Sequence, residues 1–331
     1  MTLLVACVDR TLAALGRNPV SDAAVVVAAQ VGANGLTAGQ SSAVAALCEA
    51  LDALSLDGLG RGPECRAWMM QLNAKRSLYG GDYESYLHGL QHAADAFLEA
   101  GDPRREASAR ADAGYALMLL GANDEAVAAL RASCEEASRM GLAVVVATAQ
   151  QNLGLALARI GAFSEAEQVE RASVVAFVAG GNRLMEAGSR EYLARILRLA
   201  GRTRDAESEA RHAATLLAPN HPMSVLASVA LADALLARGD SAARAEALTL
   251  AQAAYALLQA NPDGVEEPAV VRRVYFDALE ASGQHDAARV ARDEAREWLL
   301  ARAGRIAGAH YRHTFLHGNP DNAGIMGDAN E

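Results

Sequence analysis

The side chains with the clearest potential for chemistry are three histidines near the C-terminal end of the chain, His310, His313 and His317. Spacings of three and four residues place them on one face if the segment is helical. Neutral imidazoles suit zinc, nickel or copper. Because Gly308 and Gly318 belong to the same short segment, we expect a capping helix that carries these histidines without a metal. A metal site is kept as the weaker alternative, and no cofactor is predicted.

Motifs of known enzyme classes are missing from the sequence. It has no G-x-x-x-x-G-K-[ST] phosphate loop and no H-R-D or D-F-G signature of protein kinases. No serine, histidine and aspartate stand in a recognisable catalytic order. The acidic pairs Glu135-Glu136 and Glu266-Glu267 are interpreted as solvated helix surface. The sequence therefore predicts a protein that is not an enzyme.

Composition favours an all-α chain in the cytoplasm. Of the 331 residues 52% are hydrophobic but only 5% aromatic, so the apolar content is mainly Ala, Leu and Val. The net charge of −10 repels phosphate groups, so neither nucleic acid nor an anionic membrane is expected as a partner. No apolar run approaches the ~20 residues that span a bilayer. Four scattered cysteines are typical of reduced core residues in a cytosolic protein.

The elements that must position any site are indicated by a glycine that recurs every 40 residues, at Gly81, Gly121, Gly161 and Gly201. Small residues recur with the same period at Ala74, Gly114, Gly154 and Ala194. Each glycine separates two Ala-rich helical stretches. A fixed period of this kind is typical of a helical repeat array, in which each helix pair buries its apolar face against its neighbours.

The repeat resembles the tetratricopeptide repeat (TPR) on Leu153-Gly154, Gly161 and Ala166, which match its Leu-Gly pair, its turn glycine and the Ala five residues later. The resemblance extends from about Glu64 to Ala303 and implies helix–turn–helix units in a right-handed superhelix. The period of 40 exceeds the usual period of about 34, which implies longer helices or loops.

The C-terminal end is similar to the closing segment of TPR arms in multidomain bacterial signalling proteins. Those proteins are serine/threonine kinases of the myxobacterial type and NTPase-linked transcription regulators. The residues that carry this resemblance are Arg312, Phe315, Leu316, Pro320, Asp321 and Asn322. It implies a place in a signalling system, either as a detached arm or as part of a longer protein.

The TPR resemblance implies that the first helix of each pair lines a concave ligand-binding groove. Tyr and Met side chains there offer adaptable apolar contact, and arginines can form forked hydrogen bonds with carboxylates. Such a groove in a protein of net charge −10 favours an acidic peptide. The candidate groove residues are Gln71, Lys75, Tyr79, Asp112, Tyr115, Met118, Gln151, Asn152, Arg159, Glu191, Arg195 and Arg198.

We therefore predict an all-α, right-handed α-solenoid of about six TPR-like pairs. Residues 1–62 form a helical cap or degenerate repeat, in which a glycine-rich stretch at 32–39 separates two helices. Residues 63–303 form the solenoid, and 304–331 form a capping segment that ends in a flexible tail beyond Gly318. The predicted function is a non-catalytic interaction or sensor module that binds a peptide or protein segment. A small-molecule-sensing arm and a self-assembling homo-oligomeric scaffold are the alternatives.

Overall fold

The computed structural model describes residues 3–16, 20–54, 61–218, 222–262 and 264–327. These residues form helices and short connections and contain no strand, so the predicted all-α fold is confirmed. No helix among them combines the length and the apolar composition needed to cross a membrane. The helices are α1 (Leu3–Leu15), α2 (Asp22–Thr37), α3 (Ser41–Asp52), α4 (Pro63–Gly80), α5 (Tyr83–Glu99), α6 (Pro103–Leu119), α7 (Asn123–Arg139), α8 (Ala143–Arg159), α9 (Phe163–Ala179), α10 (Arg183–Leu199), α11 (Thr203–Leu216), α12 (Pro222–Arg238), α13 (Ser241–Ala260), α14 (Pro268–Ala281), α15 (His285–Ala303), α16 (Ala309–His317) and α17 (Pro320–Met326).

The 40-residue period comes from helix length. Each helix from α5 to α10 has 17 residues, and three residues connect it to the next. The connection after each helix from α4 to α10 contains a glycine with a left-handed backbone. Such glycines therefore recur every 20 residues rather than every 40, at Gly81, Gly101, Gly121, Gly141, Gly161, Gly181 and Gly201. This conformation suits glycine because it has no Cβ. Longer helices, and not longer loops, therefore account for the departure from the usual TPR period.

Close contacts within each pair follow the small residues of the repeat. A Cβ added to Gly114 on α6 would lie 2.6 Å from the side chain of Leu130 on α7, so the helices meet where only glycine fits. Gly154 on α8 faces Glu170 on α9 in the same way. The first helices of successive pairs also pack directly on each other, α8 on α10, α10 on α12 and α12 on α14. We call these four helices the inner layer.

The chain divides into two compact units, Met1–Ala113 and Gly114–Glu331. In the first unit, α2 packs against α1, α3 and α4, and α4 pairs with α5. The glycine-rich stretch at 32–39 does not separate two helices as predicted, because α2 continues to Thr37. Gly32 and Gly35 are buried there and allow Leu72 and Val44 to approach the helix closely.

In the second unit, the helices from α7 to α15 pack consecutively. The predicted boundaries at residues 62/63 and 303/304 stay predictions.

The C-terminal residues fold back onto the beginning of the second unit. Thr314 donates a hydrogen bond to the Leu120 carbonyl at 2.8 Å, and Asn123 donates one to the Gly318 carbonyl at 2.7 Å. The expectation of a flexible tail beyond Gly318 is wrong for residues 319–327, because Pro320–Met326 form α17 and Ile325 is buried. Residues 328–331 lie outside the described residues.

Replacement of Gly121 by Ala tests this fold-back, with Gly161→Ala as the matched control. Both glycines are left-handed and stand at the same repeat position, so either alanine costs about 1–2 kcal/mol of backbone strain. A Cβ at Gly121 would also overlap the Thr314 carbonyl, whereas a Cβ at Gly161 meets nothing within 4 Å. We therefore expect Gly121→Ala to lower the free energy of unfolding by roughly 1–3 kcal/mol more than Gly161→Ala, as overpacking does. Urea denaturation measures both, and equal losses would contradict the close approach of Thr314 to this turn.

Candidate functional site

Four arginines of the second unit converge on the inner layer. Arg159 ends α8, Arg195 and Arg198 lie on α10, and Arg273 lies on α14. We call them the arginine cluster. The side chains of Arg159 and Arg195 are only 1% and 8% exposed, so their charges need partners inside the protein.

Those partners are carboxylates from two segments outside the helix pairs. Glu267, in the connection between α13 and α14, accepts two hydrogen bonds from Arg195, at 2.9 and 3.1 Å. Arg159 reaches the same carboxylate at 3.3 Å. Asp321 on α17 accepts from Arg195 at 3.3 Å and from Arg273 at 2.8 Å. The forked contact with Glu267 is the geometry in which arginine binds carboxylates most strongly.

The inner layer supplies further acidic groups to the cluster. Asp233 on α12 lies between two arginines, in ion-pair contact with Arg198 and 3.0 Å from Arg273. Asp277 contacts Arg273 at 2.8 Å. The cluster is therefore charge-paired throughout, rather than a free basic surface.

The arginine cluster affects the protonation of the carboxylates that contact it. Burial acts to raise the pKa of Glu267 and of Asp321, but the neighbouring arginines outweigh it and hold both below their ordinary values. Glu191, one turn before Arg195, behaves differently. Burial raises its pKa to about 8, and the attraction of Arg195 offsets this only in part. Glu267 and Asp321 thus carry the negative charge at neutral pH, and Glu191 is largely protonated.

Half of the predicted groove residues meet at or beside this cluster. The Tyr115 hydroxyl donates to Glu266 at 3.3 Å, and the Met118 carbonyl accepts a hydrogen bond from Arg159 at 2.8 Å. Residues on three different helices, α6, α8 and α10, therefore face the connection before α14. The groove residues found here are Tyr115, Met118, Arg159, Glu191, Arg195 and Arg198.

The other predicted groove residues lie elsewhere. Gln151 and Asn152 are buried on α8, and the Gln151 amide approaches Gly188 of α10. In the first unit, Lys75 and Asp112 form an ion pair at 3.9 Å, and the Lys75 ammonium lies 5.7 Å from the ring centre of Tyr86. Gln71, Lys75, Tyr79 and Asp112 all belong to the first unit.

Sequence analysis did not identify five residues of the site, Asp233, Glu267, Arg273, Asp277 and Asp321. The interpretation of Glu266-Glu267 as solvated surface is wrong for Glu267, which is 6% exposed. The reason is the forked contact with Arg195, a residue 72 positions away in the sequence. The one available signal was Asp321, which belongs to the C-terminal segment that resembles the end of bacterial TPR arms.

The C-terminal histidines do not gather as a metal site. The described residues contain no group of three or more histidines, cysteines or carboxylates that could hold a metal ion. His310 contacts the exposed Glu125 at 2.7 Å, while the rings of His313 and His317 lie 4.8 Å apart. The weaker alternative of a metal site at these residues therefore has no structural support.

A buried glutamate beside the cluster breaks the pattern of the repeat. Glu170 is completely buried, and the residues at the same repeat position are the equally buried Leu90, Leu130 and Ala210. Neither of its carboxylate oxygens has a hydrogen-bond partner among the described residues. Burial raises the pKa of Glu170 well above the ordinary range.

Comparison with known proteins supports the fold. No family model matches the chain, and no curated protein matches it in sequence. A solved structure of a Rap protein complexed with competence and sporulation factor is similar with a TM-score of 0.54 at 9% identity, covering 93% of this chain and 99% of that one. The apo form of RapI is similar with a TM-score of 0.51 at 9% identity, over 99% and 98% of the two chains.

A kinesin light chain of Podosopora anserina with nearly identical TPR-like repeats has a TM-score of 0.41 at 17% identity, over 64% of this chain and 93% of that one. The predicted TPR-type fold is confirmed by the two Rap structures. The resemblance to kinase and regulator arms stays a prediction.

Replacement of Glu170 by Leu tests the cost of the buried carboxyl. Because the native pKa is raised, the unfolded chain ionises at lower pH than the folded one, so the native stability falls as pH rises above the ordinary glutamate value of 4.5. We expect Glu170→Leu to raise the free energy of unfolding by about 1–3 kcal/mol at pH 7.5, with a smaller gain at pH 4.

Denaturant titrations at the two pH values measure the difference between wild type and variant. Glu165→Leu, on the exposed face of the same helix, is the control. It loses an exposed ion pair with Arg131, so it should not raise stability and should lower it by no more than about 1 kcal/mol. A gain from Glu170→Leu that does not grow with pH would show that the Glu170 carboxyl titrates normally.

Proposed function

We propose that this protein is a non-catalytic interaction module that binds an acidic peptide or protein segment through the arginine cluster on the inner layer. The observation that carries the proposal is that carboxylates of this chain already bind the arginines of the cluster. Glu267 and Asp321 come from segments outside the helix pairs and bind arginines of α8, α10 and α14. The inner layer is thus built to hold acidic groups that arrive on a separate stretch of chain.

The physical basis of affinity would be preorganisation. Arg195 and Arg273 are fixed by several contacts each and stand on rigid helices, so a ligand carboxylate would meet guanidinium groups whose orientation is already set. Burial strengthens each charge-assisted hydrogen bond, because less water competes for it. Tyr115 and Tyr192 at the same site offer apolar ring surface with a polar end.

The comparison with Rap proteins supports a binding role of this kind. One Rap protein was solved in complex with competence and sporulation factor, and the similarity covers 93% of this chain and 99% of that one. By analogy of fold, a chain of about this length can hold a bound factor. A role in bacterial signalling in the cytoplasm is part of the proposal and rests on the resemblance of the C-terminal segment to signalling arms.

One observation favours a second candidate, a small acidic metabolite. Arg195 is only 7% exposed, and an enclosed site of this kind suits a compact carboxylate as well as a peptide side chain. The two candidates share the same arginines and differ in the size of the ligand.

Two steps test the proposal. Peptides are first selected from a random display library on the immobilised full chain, and their binding is then compared with that to a chain in which Arg198 is replaced by Met. We expect the selected peptides to be enriched in Asp and Glu. Arg198→Met should weaken their binding about tenfold, the effect of one charge-assisted hydrogen bond. Arg198 is a suitable target because Asp233 keeps Arg273 as a partner after the change. Isothermal titration calorimetry measures the affinities.

The matched control is Arg211→Met on α11, which removes an arginine that contacts Glu207 and Glu246 away from the cluster. Its affinities should equal those of the wild type. Peptides without acidic enrichment, or equal losses in both variants, would contradict binding at the cluster. Failure of every peptide, combined with arginine-dependent binding of small dicarboxylates such as succinate or glutarate, would favour the metabolite candidate.

A further inference from the structure

We propose that the C-terminal segment, residues 304–327, is a displaceable internal occupant of the arginine cluster, so that an acidic ligand enters by replacing it. The inference rests on the proposed function and adds how access to the site is controlled. The residue that makes the link is Asp321, whose carboxylate contacts Arg195 and Arg273 at 3.3 and 2.8 Å.

Replacement of Asp321 by a ligand carboxylate would conserve the charge balance of the cluster. An uncompensated buried charge is strongly destabilising, so release of Asp321 into water without exchange is unfavourable. A ligand carboxylate at the same place would keep both arginines paired. Meanwhile Arg195 retains its forked contact with Glu267, and Arg273 retains Asp233 and Asp277. The cluster can therefore survive the exchange with its other contacts intact.

At the end of the segment away from Asp321, polar contacts join it to the turn after α6 and to α7. The Thr314 hydroxyl and the Gly318 carbonyl bond to the turn between α6 and α7. His310 and Tyr311 contact the exposed Glu125 at 2.7 and 3.2 Å. Polar contacts between exposed side chains contribute little to stability, about 0–1 kcal/mol each. The far end is thus anchored by contacts that water can replace at moderate cost.

The segment's own structure depends on its docking. Helices α16 and α17 have nine and seven residues, shorter than the ~12–15 residues at which isolated helices begin to be stable in water. Phe315 and Ile325 are buried, and α17 packs against α14 and α15. A released segment would lose its helical structure. A competing ligand would therefore displace the segment as a whole rather than move it gradually.

Binding of the segment in trans to a weakened full chain tests the proposal. The probe is a fluorescein-labelled synthetic peptide of residues 304–327, and the readout is fluorescence anisotropy. We expect it to bind the Asp321→Asn chain at least about tenfold more tightly than the wild type, in which the site is already filled. The same peptide with Asn in place of its aspartate should lose about tenfold in affinity for the Asp321→Asn chain. Asp286→Asn, the same change at a fully exposed position of α15, should behave as the wild type does.

Thr314→Val loosens the segment from its other end without touching the arginines, so it tests the same idea if the Asp321→Asn chain does not fold. It should also bind the peptide more tightly than the wild type. Peptide binding that is no tighter in either folded variant would overturn the proposal.

Hydrogen exchange separates this proposal from the proposed function. An acidic peptide selected on the wild type should accelerate amide exchange in residues 309–327 when it binds. Binding with unchanged exchange there would overturn the internal occupant and leave the proposed function standing. Tight binding of the 304–327 peptide to the variants, with no acid-enriched sequence obtained by selection, would support the internal occupant and overturn the proposed function.

Discussion

A buried guanidinium group needs a charged partner, and in the second unit this requirement determines where two distant segments of the chain lie. Arg195 is 7% exposed on α10, and its partners Glu267 and Asp321 lie 72 and 126 residues further along the chain. Loss of one member of such a pair costs about 3–5 kcal/mol, because the other charge is left buried and unpaired. The connection before α14 and the C-terminal segment are therefore held at the inner layer by the same residue.

The repeat supplies the frame on which this network is placed. From α5 to α10, helices of 17 residues and connections of three residues repeat the same local geometry, and each connection contains a left-handed glycine. Identical repeat positions nevertheless have different neighbours. Gly161 faces open space, while Gly121 lies against Thr314 of the returning C-terminal segment. Such differences between equivalent repeat positions show where a segment outside the repeats contacts the array.

The position shared by Leu90, Leu130, Glu170 and Ala210 shows a different departure. All four side chains are completely buried, but only Glu170 brings a carboxyl into the apolar interior. A leucine there would fill the same position without a desolvated polar group. The glutamate lies close to Gly154, beside the pair of bonded hydroxyls Ser173 and Ser189. The buried carboxyl therefore lies next to α10, the helix that carries Arg195.

The sequence by itself determined the helical class, the pairing of helices and their turns, because these depend on local periodicity and on glycines at fixed spacing. It also placed Tyr115, Arg159 and Arg195 on the first helices of their pairs, where the structure has them. It could not determine their partners. Glu267 and Asp321 meet Arg195 only after the array has folded, and contacts over such separations leave no periodic signal. The burial that makes these charges dependent on each other is likewise a property of the tertiary structure alone, since it is set by the packing of α8, α10 and α14 around them.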